Sequence, residues 1–107
     1  MGNKAIREAL EVLYEARCML TLIKDKVTLH HVEKKADKGE TTEENGALLI
    51  KTIHQWLHNH IEKNNLEMYY LINECLQLYK ICVMEDRQEL LQQWEQECVP
   101  EFRKELK

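Results

Sequence analysis

The chain has 107 residues, 44% of them hydrophobic and 32% charged, with a formal charge of −4 and only three Gly and one Pro. That length predicts one domain with a modest core. The scarcity of Gly and Pro leaves little material for the turns of a sheet protein, and the negative balance argues against a nucleic-acid or anionic-membrane surface.

In chain order, Ile6, Ala9, Leu13, Ala16, Leu20, Ile23 and Val27 recur at spacings of three and four with no Gly or Pro between them, which predicts a first long helix over residues 4–35. Tyr14, Cys18, Leu22 and Leu29 project away from that stripe, where a surface helix would be polar. They are read as an interface, the seam of a homo-oligomer. Residues 36–41 form a polar loop around Gly39, and Thr41-x-x-Glu44 has the form of a capping box. A second helix follows over residues 42–63, with Leu49, Ile50, Ile53, Trp56, Leu57 and His60 on one face and a turn at Asn64-Asn65.

Residues 66–83 carry the densest apolar pattern and predict the most buried helix. Its phase runs on through Val83, Leu90, Trp94 and Cys98, so one third helix over residues 66–98 is expected. Asp86-x-x-Glu89 offers a competing helix start, which would break it near Met84–Asp86 and give four helices. Pro100 ends or kinks the helix, leaving residues 100–107 as a short turn or tail. The expected fold is therefore all-α, an antiparallel bundle of three long helices.

The sharpest chemical constellation is His54, His58 and Glu62, at i, i+4 and i+8 along one helix side, a spacing that suits metal ligands. Gln55 stands where a metalloprotease helix has Glu, and a third protein ligand would have to come from another helix. His60, in phase with Ile53 and Trp56, reads as a partly buried core histidine, and His30-His31 as residues near a helix end. The chain contains no Ser and no Gly-rich phosphate loop, so nucleophilic and nucleotide-dependent chemistry lose their usual parts and no catalytic residue or cofactor is predicted. Cys18, Cys75, Cys82 and Cys98 form no Cys-x-x-Cys pair and read as reduced, apolar-facing thiols.

The first ten residues lack the apolar stretch of a secretory leader, and no run approaches membrane-spanning length. These features predict a small non-catalytic cytoplasmic interaction module, an adaptor, inhibitor or regulatory subunit that presents helix faces to a protein partner or to a second copy. A metal- or ligand-binding bundle built on His54 and His58 is the alternative. Nucleic-acid binding through the lysines of Lys24–Lys38 comes third, resting on a local charge of +2.

Overall fold

A computed structural model of the protein describes residues 2–32, 40–63 and 65–106, with the side chain of Glu62 outside the described set. It corrects the three-helix bundle: helices dominate, but a two-stranded antiparallel sheet lies among them. The elements are α1 (Asn3–Leu13), β1 (Val27–His31), β2 (Gly46–Ile50), α2 (Lys51–Glu62), α3 (Leu66–Met84), α4 (Gln88–Gln93) and α5 (Val99–Arg103). A π-helical turn over Trp94–Cys98 joins the last two, and a 3₁₀ turn over Lys104–Leu106 follows.

The expected first helix ends far short of residue 35. Glu15 and Ala16 adopt left-handed φ values of 59° and 54°, and the Ala16 amide donates to the Glu11 carbonyl at 2.9 Å. That bond closes a Schellman motif without the glycine that usually marks one. Beyond it, Cys18, Met19, Leu20 and Thr21 are fully buried as irregular chain. Their backbone is tied across the fold: the Met19 amide donates to Leu48 O at 2.9 Å, Trp94 Nε1 donates to Met19 O at 3.2 Å, and Arg103 Nε donates to Thr21 O at 2.8 Å. These bonds satisfy polar groups that a helix would otherwise satisfy internally.

Val27-Thr28-Leu29-His30-His31 pairs with the apolar run at Gly46–Ile50 in the register Val27↔Ile50 to His31↔Gly46. Side chains alternate across β1, so Leu29 meets Gly46 and Leu10 of α1 while Thr28 and His30 meet α2 and α3. Gly46 is required by close approach: a Cβ there would lie 2.7 Å from Leu10 Cδ1 and 3.1 Å from Thr42 O. All five residues of β2 are buried, the pattern of a strand covered on both faces.

Thr41-x-x-Glu44 caps no helix. Thr42 Oγ1 instead accepts from the Asn45 amide at 3.2 Å in the turn that leads into β2. Lys80 of α3 clamps that turn, with Nζ donating to the carbonyls of Glu43, Glu44 and Gly46 at 2.7–2.8 Å. Burial pushes the Lys80 ammonium down to about 8, while the nearby Glu44 and Glu43 carboxylates pull the other way.

The second helix thus begins at Lys51 rather than residue 42, directly after β2 and with no connecting loop. Its end at Glu62 and the start of α3 at Leu66 match the sequence reading. The long third helix is broken, as the four-helix alternative has it: α3 stops at Met84, Asp86 sits at φ 54°, and α4 starts at Gln88. Pro100 falls in the first turn of α5, where its missing amide is harmless, and the π turn before it absorbs the change of register. The core gathers Ile6 and Leu10 of α1, Met19 and Leu20, Ala47–Ile50 of β2, Ile53 and Leu57 of α2, and Tyr69, Ile72 and Leu76 of α3. No described helix is long and apolar enough to cross a membrane.

Candidate metal centre

The site follows from the way β2 runs straight into α2. Because the strand and helix share one backbone path, the first turns of α2 are fixed against β1, the hydrogen-bonded partner of β2. His54 and His58 lie one turn apart on α2, with ring centroids 4.8 Å apart. His30, on the inward face of β1, comes between them and α3: its ring lies 5.1 Å from His54 and 5.4 Å from His58, edge-on to both. One nitrogen from each ring lies within 4.8 Å of the other two. Tyr69 of α3 stacks at an angle against His58 at 5.9 Å and meets His30 edge-on at 6.3 Å, walling the cluster on the core side.

The outer contacts set the tautomers, that of His30 through the orientation of the Asn73 amide, whose Oδ1 faces the ring and whose Nδ2 finds no hydrogen-bond partner among the described residues. Thr28 Oγ1 donates to Leu49 O at 2.7 Å, so its proton is committed and its lone pair accepts from His54 Nδ1–H at 2.8 Å. Asn73 Oδ1 accepts from His30 Nε2–H at 2.8 Å. Each ring therefore spends its single proton outward. The inner pair, His30 Nδ1 and His54 Nε2, face one another as two lone pairs 3.3 Å apart.

Lone pairs so placed repel unless something positive lies between them. A proton there is disfavoured: burial lowers His30 to about 4 against the help of Asn73, and burial with the neighbouring His58 and His31 lowers His54 to about 4. Both imidazoles are therefore neutral at pH 7, the form that ligates metal. Zinc bonds of about 2.0–2.1 Å in tetrahedral geometry set ligand nitrogens about 3.3–3.4 Å apart, which the inner pair already matches. Thr28 and Asn73 play the part of the outer partners that orient ligating histidines in metal proteins.

Of the predicted ligands, His54 and His58 stand together, and the Glu62 side chain lies outside the described residues. The third imidazole of the cluster, His30, comes from a strand, not from another helix. The sequence does not single out His30 as a partner of His54 and His58, because Val27–His31 falls inside the expected first helix; the β-branched Val27 and Thr28 in an apolar–polar alternation are the strand signal there.

Of the predicted interface residues, Tyr14 and Cys18 are core residues at 5% and 0% exposure, while Leu22 and Leu29 are half-buried. Lys34, Lys35 and Lys38 of the basic stretch lie outside the described residues; Lys24 and Lys26 are exposed. All four cysteines are free thiols. No protein-family model matches the chain, and neither a curated protein nor a solved structure matches it.

Proposed function

We propose that this protein binds a divalent transition metal, zinc by preference, through His30, His54 and His58. The observation that carries the reading is the facing pair of nitrogens 3.3 Å apart, each with its ring's proton engaged on the far side by Thr28 or Asn73. Imidazole ligands suit zinc, copper, iron and nickel; a three-histidine set without a described thiolate favours zinc among the abundant ions. Metal held there joins β1 to α2, and through Asn73 engages α3. Calorimetric titration with zinc tests the reading: the wild type takes up one ion per chain at micromolar concentration or tighter, and His54→Ala/His58→Ala abolishes the heat. An absence of binding in the wild type at micromolar zinc would refute it.

A second reading, protein interaction through a helix face, is favoured by a different observation. On α3, Met68, Leu71, Cys75, Leu78 and Cys82 repeat at three and four residues, with Leu71 52% and Leu78 61% exposed. A 3–4 repeat is what a partner helix packs into, and on a second copy of this chain the same seam is its own complement. The lower part of the seam continues into a groove of about 240 Å³ that includes Leu90 and Trp94. Sedimentation at tens of micromolar is expected to show a dimer that Leu71→Glu/Leu78→Glu converts to monomer; a monomeric wild type rules the seam out.

A further inference from the structure

The three histidines do not contribute to the site equally. His30 is fully buried, whereas His54 and His58 are half-exposed and form part of the wall of a surface cleft of about 350 Å³. An ion held by all three is thus gripped from inside the fold by His30, and its outer side faces the cleft. Among the described residues, the rest of that cleft is Lys51, Gln55 and Asn59, one cation and two amides. Lys51, His54, Gln55 and His58 share one side of α2 by their spacing, so Lys51 lies along the helix on the side of the two histidines.

Three neutral imidazoles bring no negative charge of their own to a divalent ion. A zinc centre with three protein ligands keeps its fourth position for water or an exogenous ligand. The charge of the ion, an adjacent ammonium and two amide donors select a negative ligand, and the polar side chains described around the cleft suit a small hydrophilic one.

We infer, on the basis of the metal-binding reading above, that the cleft between Lys51 and Asn59 admits a small anion, inorganic or carboxylate, to the fourth coordination position of the ion held by His30, His54 and His58. In that exchange the entering anion supplies the lone pair for the new metal–ligand bond and the bound water leaves with its own. Lys51 positions the anion by charge, and Gln55 and Asn59 by hydrogen bonding.

Cobalt(II) in place of zinc reports the coordination shell through its visible spectrum. The full chain loaded with cobalt in chloride-free buffer is titrated with sodium azide, and cobalt occupancy is measured at every point. The expected result is a saturable change in the cobalt bands, with the azide midpoint raised about three- to tenfold in Lys51→Gln, the range expected for loss of one partly screened charge near the ion. A chain that holds cobalt but whose spectrum azide does not move has its fourth position closed by a group of its own, which overturns this inference and leaves the three-histidine centre standing. Azide binding undiminished in Lys51→Gln overturns the assignment of the cleft. A chain that takes up no cobalt overturns the metal reading, and this inference with it.

Discussion

At the scale of single residues, the centre depends on two polar side chains that touch no metal. Thr28 can orient His54 only because its own proton is held by Leu49 O at 2.7 Å, so the hydroxyl acts as a pure acceptor toward the ring. Thr28→Val keeps the shape and the strand propensity of the residue and removes that acceptor. Loss of such an outer partner weakens metal affinity about 10–100-fold. Competition against a chromophoric chelator is expected to show that loss with the fold intact; zinc affinity within twofold of wild type would contradict the role given to Thr28.

Lys80 makes a separate prediction. Its folded value of about 8 lies below the ordinary lysine value of 10.5. Between the two the unfolded chain holds more protons than the folded one, so the Lys80 contribution to stability rises with pH across that window and is flat below it. The raised tyrosines Tyr14 and Tyr79 act in the opposite sense above their ordinary value of 10. Denaturant unfolding from pH 8 to pH 10 is therefore expected to show stability rising in the wild type relative to Lys80→Met. Parallel profiles for the two proteins would contradict a depressed Lys80.

At the scale of elements, what the sequence reveals and what it hides have physical causes. The start of α3 at Leu66 is legible because two asparagines, which favour turns, precede it. The break after Met84 was half-legible: Asp86-x-x-Glu89 marks it, but the apolar stripe stays in phase across a single left-handed residue and so reads as unbroken. The end of α1 was hidden, since its Schellman turn uses Glu15 rather than glycine. A left-handed non-glycine residue is costly locally and persists because the segment after it is fixed to Leu48, Trp94 and Arg103. The stripe from Ala16 to Val27 is real apolar burial, but it fills the core as loop and strand. Likewise Ala47–Ile50 is too short for its period to tell a buried strand from a buried helix.

The same reasoning accounts for how much of the site could be seen. His54 and His58 declare themselves by helical spacing, a local property. His30 joins them through the pairing of β1 with β2, in which Thr28 bonds to Leu49, 21 residues along the chain. Non-local register of that kind leaves no trace in periodicity. Asn73, 43 residues beyond His30, is more distant still and looks like any polar residue on a helix.

At the scale of the whole molecule, β1, α2 and α3 converge on the histidines, while the segment after α1 is tied to the π turn and α5 through Met19–Trp94 and Thr21–Arg103. Asn73 and the exposed Leu71–Leu78 seam leave α3 in different directions at 100° per residue. Metal binding and self-association are therefore compatible on one helix. The central claim is that three imidazoles from two elements share one ion. X-ray absorption at the zinc edge of the stoichiometric complex tests it most directly: the account predicts three histidine nitrogens at about 2.0–2.1 Å, with the outer-shell scattering of imidazole rings reduced to two in His30→Ala. A first shell with sulfur in it, or a spectrum that His30→Ala leaves unchanged, would contradict it.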